Sequence, residues 1–107
     1  MKTLDRTFHA LSDPTRRKIL SRLSRSETTI MELAKPFDMS LPAVTKHLRV
    51  LKRAGLISQR REGRVRTCKL LAEPLKDATN WLAEYRRFWD NQLDSLEEFL
   101  ERTADKE

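Results

Sequence analysis

The chain has 107 residues, of which 38% are apolar, and its 22 Lys and Arg against 16 Asp and Glu give a formal net charge of +6. That length suits one domain, and the apolar fraction can fill a small core, which argues against a disordered tail. No apolar run approaches the ~20 residues that cross a bilayer, the N-terminus lacks the apolar core of a secretory signal, and the one cysteine excludes an internal disulfide. These features predict a reduced, cytoplasmic protein.

The charge is unevenly distributed along the chain. Residues 1–72 hold 17 Lys and Arg and 6 Asp and Glu, whereas residues 73–107 hold 5 and 10. A basic N-terminal part and an acidic C-terminal part indicate an anionic partner for the N-terminal part alone. Nucleic acid is the commonest partner of this kind, an anionic membrane surface is the second, and a basic face that is merely solvated is the third interpretation.

Three short helices are predicted in the first third of the chain. The spacing of apolar residues indicates an amphipathic helix over residues 3–11. Asp13 followed by Pro14 marks the start of the second helix, because Asp is a good N-cap and Pro suits the first helical position. The third helix begins after Thr28 or Thr29, either of which can cap it.

The fourth helix is predicted over about residues 41–54. Ser40 opens it, and Gly55 lies where a left-handed residue commonly ends a helix. Its apolar residues form one stripe for burial, composed of Val44, Leu48 and Leu51. Only a few residues separate this helix from the third. Two short helices joined by a tight turn, the second basic on its outer face, describe a helix-turn-helix.

A basic hairpin is predicted directly after the fourth helix. Gly63 lies between two runs of β-compatible residues, 56–62 and 64–70. Four arginines crowd its tip, namely Arg60, Arg61, Arg64 and Arg66. A basic hairpin after a helix-turn-helix is typical of a wing.

The last predicted helix starts at Pro74 and is the longest. Its apolar residues step by three or four for about 26 residues, which makes it roughly 40 Å long. A domain this small cannot cover such a face, so another chain or the first helix must bury it, and a symmetric homodimer is the simplest solution. The predicted interface residues are Leu4, Phe8, Leu82, Tyr85, Trp89, Leu93, Leu96 and Leu100. The aromatic cluster of Trp81, Tyr85, Phe88 and Trp89 is interpreted as dimer core, with a small-molecule pocket as the alternative.

The outward residues of the fourth helix are the candidates for reading DNA, because recognition helices use their N-terminal residues in the major groove. Thr45 can bond a base or a phosphate, and Lys46 and Arg49 can reach guanine or a phosphate. The predicted DNA-binding residues are Ser40, Pro42, Ala43, Thr45, Lys46, His47, Arg49, Arg61, Arg64 and Arg66. For His47, a phosphate contact and packing at the junction of helix and wing are both open.

Three stretches carry a family resemblance: FHALSDPTRRKIL, TTIMELAKPFDMSLPAVTKHLRVLKRAGLI and SQRREGRVRTCKL. Together they resemble the ArsR-type (arsenical-repressor-like) regulators over residues 4–71. The expected fold is mainly α with a small β-hairpin, a winged helix-turn-helix of about five helices and a two-stranded wing. We expect a single domain with a DNA-binding core at 1–73 and a dimerisation helix at 74–104. The resemblance implies a homodimeric repressor, joined by its first and fifth helices, that leaves its operator on an inducing signal of unknown identity.

The sequence departs from the metal-sensing branch of that family. Members of that branch resemble C-V-C-D-L at the start of the third helix, where residues 29–33 here read TIMEL, so both thiolate positions are lost. Other members place Asp and His ligands on the last helix, but residues 74–107 contain neither His nor Cys. A metal site needs three or four ligands, so we expect no metal and no cofactor.

Two other classes of function were weighed against a DNA-binding regulator. A winged helix used for protein–protein contact, with only non-specific DNA affinity, is the alternative, although it has no need of so many basic residues on helix and wing. An enzyme is not expected, because 2 Gly and 2 His supply neither a phosphate-binding loop nor a catalytic pair. Cys68 is interpreted as a half-buried, inert thiol. A redox switch is its alternative, since Arg66 and Lys69 could lower its pKa.

Overall fold

The computed structural model describes residues 2–105. Its elements, in chain order, are α1 (Lys2–Leu11), α2 (Pro14–Leu23), β1 (Thr28–Thr29), α3 (Ile30–Ala34), α4 (Leu41–Arg53), β2 (Ile57–Glu62), β3 (Val65–Leu70) and α5 (Glu73–Asp105). The domain is therefore mainly helical with a small antiparallel sheet, as predicted. None of the helices in this described part is both long and apolar enough to cross a membrane.

Three of the helices begin at side-chain caps that the sequence indicated. The side chains of Asp13, Thr29 and Ser40 each accept a hydrogen bond from the backbone N–H three residues further on, at 3.0, 3.2 and 3.3 Å. These bonds satisfy N–H groups that have no partner within the helix. Thr29, rather than Thr28, is thus the cap of α3.

The sheet has one strand more than the predicted two-stranded wing. Its strand order is β1-β3-β2, with both pairings antiparallel. β1 contains only Thr28 and Thr29, which pair with Cys68 and Thr67 of β3. A two-residue strand shows no alternation of apolar and polar residues, so the sequence pattern gave no signal for it.

One hydrophobic core holds the first four helices against the base of the sheet. The predicted stripe of α4 lies at its centre, since Val44, Leu48 and Leu51 are fully buried. Gly55, directly after α4, has a φ of +75°, which confirms the predicted left-handed residue at that end of the helix. The other buried core residues are Ala10, Ile19, Leu20, Leu23, Ile30, Leu33, Ala54, Leu56, Ile57 and Cys68.

The long helix α5 packs on the domain only through its first turns. It has 33 residues, so it is about 50 Å long, and each of its ends lies within one residue of the predicted bounds 74–104. Ala78 is buried, and the Trp81 ring meets Phe8 of α1 edge-on at a centroid distance of 5.6 Å. Beyond this contact the helix projects from the body, and the molecule measures 69 × 33 × 21 Å.

Candidate nucleic-acid interface

The helix α4 presents one buried face and one polar face. Ser40, Pro42, Lys46 and Arg49 are exposed, whereas Ala43 and Thr45 are partly buried. Seven of the residues predicted to bind DNA come from this helix and its cap, and six of them lie on its accessible side. The seventh, His47, is described below.

Thr45 has less hydrogen-bonding freedom than the sequence indicated. Its hydroxyl donates to the carbonyl oxygen of Leu41 one turn earlier, at 2.9 Å. A hydroxyl that donates within its own helix can still accept a bond from a base amino group, but it has no hydrogen left for a phosphate oxygen. Thr45 is therefore suited to a base edge and, through its methyl group, to thymine.

The wing brings two arginines face to face. Arg61 of β2 lies directly opposite Arg66 of β3, and both side chains are exposed. Like charges at directly opposed positions destabilise a strand pair. An anion such as a phosphate would relieve this repulsion. Arg64, at the turn between the strands, is also exposed.

Arg60 differs from the other wing arginines because carboxylates neutralise it. Its Nε donates to Glu62 Oε1 at 2.8 Å, and its Nη2 lies 3.6 Å from Glu27 Oε1. Arg60 is thus the arginine of the predicted wing tip that is least suited to a phosphate.

A surface groove of about 390 Å³ joins the helix to the wing. Thr45 lines it from α4, and Arg64 and Arg66 line it from the wing. The structure therefore brings residues of the two predicted sets to one surface. The groove also has an apolar lining that the sequence analysis missed, formed by Ile30, Met31, Leu41 and Val65. Leu41 is three residues before the buried Val44, and its spacing alone would have placed it in the core.

His47 contacts two residues at the start of α2. Its Nδ1 lies 3.2 Å from Nη1 of Arg16 and 3.8 Å from Oδ2 of Asp13. Neither partner lies on the wing, so these contacts give no support to packing at the junction of helix and wing, one of its two predicted roles. A phosphate contact through the other ring nitrogen, Nε2, stays a prediction.

Arg16 is a buried arginine that the sequence did not distinguish from its basic neighbours. It is only 8% exposed, and its Nε and Nη2 donate to the carbonyl oxygens of Ala10 and His9 at 2.8 and 3.1 Å. Its backbone N–H, as the largest cause, lowers the pKa of the Asp13 carboxyl, and the charge of its guanidinium acts in the same direction. A carboxylate thus lies beside the contact between Arg16 and His47.

Cys68 is fully buried, where half-burial was expected. Burial raises the pKa of its thiol, and the charge of Lys52 opposes this only in part. The suggested lowering of this pKa by Arg66 and Lys69 is therefore wrong. A buried, protonated thiol is a poor nucleophile, which disfavours the redox alternative.

No metal site is evident in the part of the chain that the structure describes. Within it, no group of three or more His, Cys, Asp or Glu side chains could hold a metal ion.

Comparisons with known proteins agree with this geometry. A family model described as a helix-turn-helix domain matches residues 11–60. The transcriptional repressor SdpR of Bacillus subtilis is 38% identical over 90 residues, which cover 84% of this chain and 100% of that protein. The crystal structure of an ArsR family transcriptional regulator, RHA00566, superposes with a TM-score of 0.77 at 48% identity, covering 83% of this chain and 92% of that one. The chain belongs to the ArsR family.

Two further relatives extend this picture of the ArsR family. The regulator Rv2034 of Mycobacterium tuberculosis is 36% identical over 104 residues, covering 94% of this chain and 92% of that protein. A solution structure of a homodimeric winged helix-turn-helix DNA-binding domain, Mb0332 from Mycobacterium bovis, superposes with a TM-score of 0.62 at 26% identity, covering 88% and 84% of the two chains. The predicted winged helix-turn-helix fold and the predicted class of DNA-binding transcriptional regulator are both confirmed.

Proposed function

We propose that this ArsR-family chain is a homodimeric repressor that binds an inverted-repeat operator in double-stranded DNA. The observation that carries the proposal is the surface on which α4 and the wing meet. Exposed Lys46 and Arg49 lie on the helix, and Arg64 and Arg66 line the adjoining groove. A basic surface built around the first turns of a recognition helix fits the major groove of DNA.

In this mode of binding, α4 enters the major groove and the wing follows the backbone. Lys46 and Arg49 reach guanine O6 and N7 or phosphate oxygens, while Ser40, Pro42 and Ala43 lie close to the base edges. Arg61, Arg64 and Arg66 neutralise phosphates. A two-fold axis between protomers places the half-sites about 34 Å apart, one turn of DNA.

We assign the dimer interface to α1 and α5. Phe8 and Trp81 pack together within one chain, so the two helices form a joint apolar surface. Six predicted interface residues on α5 are exposed and lie on one helical face, namely Leu82, Tyr85, Trp89, Leu93, Leu96 and Leu100. An exposed apolar face of this length is typical of a site that another chain covers. Leu4 and Phe8 are only half-buried, which leaves part of each for the partner. Residues 74–104 thus act as the dimerisation helix of a core formed by residues 1–73.

The exposed basic side chains of α4 and the wing argue against the alternative of a protein–protein interaction module. The opposed pair Arg61 and Arg66 would destabilise a wing that never meets an anion. We also propose that the chain acts without catalysis, as a regulator of transcription in the cytoplasm.

The proposal is tested by fluorescence anisotropy of the purified protein on its own upstream DNA and on a shuffled duplex. Titrations at ~50 and ~200 mM salt measure the electrostatic part of binding. We expect tight binding that prefers the native sequence and weakens steeply with salt. Arg87→Ala, at an exposed position of α5 away from its apolar face, is a charge-matched control for variants of the DNA surface and should bind normally. The titrations are then repeated with duplexes that the protein selects from a random-sequence pool. Weak binding that is equal on the native, shuffled and selected duplexes would contradict sequence-specific recognition.

A further inference from the structure

The guanidinium of Arg16 joins three helices. It belongs to α2, it donates two hydrogen bonds to carbonyl oxygens in the last turn of α1, and its Nη1 lies 3.2 Å from Nδ1 of His47 on α4. Arginine holds its donors in a rigid planar fork, so these three contacts fix the end of α1 and the middle of α4 relative to each other.

The contact with His47 demands one particular form of the imidazole ring. Arginine can only donate hydrogen bonds, so Nδ1 of His47 must accept. An accepting Nδ1 carries no proton, and the ring is then neutral with its hydrogen on Nε2. A hydrogen bond between Arg16 and His47 thus requires this form of the ring, with the Asp13 carboxylate 3.8 Å from the same nitrogen.

The position of this contact gives it a functional consequence. His47 directly follows Lys46 in the sequence and precedes Arg49 by two residues, so a shift of α4 at His47 moves both DNA-facing side chains. On the other side of the contact, α1 lies against α5 through Phe8 and Trp81. Arg16 thus stands between the helices assigned to the dimer interface and the helix assigned to DNA.

We propose that Arg16 is a positioning residue that fixes the recognition helix to the dimerisation surface and thereby sets the spacing of the two recognition helices. This inference rests on the proposed dimeric, DNA-binding function. Arg16 itself is too deeply buried to be a phosphate contact. The spacing that Arg16 sets matters only when both recognition helices bind DNA together. A single protomer on one half-site can adjust its position on the DNA as a rigid body.

The test compares two duplexes: the inverted repeat that the wild-type protein selects from a random-sequence pool, and the same duplex with one half-site scrambled. The variants are His47→Leu, which has no acceptor, and His47→Asn, whose amide oxygen can take the place of Nδ1. Arg16→Lys is a second variant, which keeps the charge but loses the fork. We expect His47→Leu and Arg16→Lys to lose roughly ten-fold or more on the full repeat and less than about two-fold on the half-site, because bivalency is what they impair. His47→Asn should retain more affinity for the full repeat than His47→Leu does.

Arg17→Lys is the matched control. Arg17 is the next residue of α2 and also donates to the end of α1, at 2.7 Å from the carbonyl oxygen of Leu11, but it is exposed and its recorded partner is on α1 alone. It should leave both affinities unchanged. Equal losses on both duplexes for His47→Leu and Arg16→Lys would overturn the inference, since a phosphate contact or general destabilisation acts on each half-site. Unchanged binding of His47→Leu and Arg16→Lys to the full repeat would also overturn it.

A measurement without DNA separates this inference from the proposed function. The ¹⁵N chemical shifts of the histidine side chains report which ring nitrogen carries hydrogen. At neutral pH we expect His47 to show an unprotonated Nδ1 whose shift changes in Arg16→Lys but not in Arg17→Lys. A hydrogen on Nδ1 of neutral His47 would overturn the inference even if the protein binds its operator. A wild-type protein that binds the full repeat no better than the half-site would instead contradict the proposed dimeric recognition.

Discussion

Arginine residues serve two different purposes in this domain. Arg49 is exposed on α4, where a guanidinium can meet a base or a phosphate, whereas Arg16 is buried and satisfied by protein acceptors. The helical period predicted the outward position of Arg49. It could not predict the burial of Arg16, because that depends on the end of α1 and the side of α4, which come together only in the folded chain.

Replacing Arg49 tests whether it reads a base. If it does, Arg49→Ala should weaken binding to the operator by about 1–3 kcal/mol while binding to random DNA changes little. Anisotropy titrations on both duplexes measure the difference, with Arg87→Ala on α5 as the control. A loss of equal size on random DNA would reassign Arg49 to a phosphate.

Cys68 should make the stability of the domain depend on alkaline pH. Burial raises the pKa of the folded thiol, so the unfolded chain loses this proton first. The free energy of unfolding should therefore be unaffected below about pH 8.5 and decline as the pH rises through the interval up to the folded pKa. Urea denaturation near pH 7 and pH 9.5 should show a larger decline for wild type than for Cys68→Ala. Equal declines would mean that the thiol does not contribute.

At the level of the elements, chain breakers and caps predicted the folded boundaries well. Asp13, Ser40 and Gly55 bound their helices as expected, because caps act on backbone groups nearby in sequence. The exposure of Leu41 and the strand β1 were missed. Both depend on what lies opposite in the folded chain, and a local pattern carries no information about that.

The turn that ends the recognition helix offers a test at the same level. Gly55 has a φ of +75°, and an added Cβ would lie 3.7 Å from Cγ of Pro74, an ordinary contact distance. Gly55→Ala should thus destabilise the domain through backbone conformation alone, by about 1 kcal/mol. Gly55→Asn should lose less, since Asn tolerates the left-handed region better. Urea denaturation compares the two variants, and an Ala variant as stable as the Asn variant would contradict this explanation.

The whole molecule is shaped by a helix that its own core cannot cover. Trp89 and Leu93 of α5 are 63% and 62% exposed. The stepping of apolar residues predicted this face. The pattern ends at Leu100, and the predicted bounds 74–104 lie within one residue of those of α5.

Removing both of these side chains should weaken the dimer. We expect the variant that combines Trp89→Ala and Leu93→Ala to dissociate at concentrations where wild type is dimeric, and to lose operator affinity through lost bivalency. Sedimentation equilibrium measures the first effect and anisotropy the second. Asn91→Ala with Glu98→Ala, at exposed positions on the opposite side of α5, is the control. An intact dimer in the apolar double variant would place the interface elsewhere.

The short strand β1 divides the wing into a fixed part and a compliant part. Thr28 and Thr29 pair with Cys68 and Thr67 of β3, so at the base of the hairpin β3 is the middle strand of a three-stranded sheet. Near the tip, where Arg61 pairs with Arg66 and Glu62 with Val65, β3 pairs with β2 alone. Bending should therefore concentrate beyond Thr67, and amide hydrogens there should exchange faster with solvent than those at the base. The arginine tip can then follow grooves of different width while the recognition helix keeps its place.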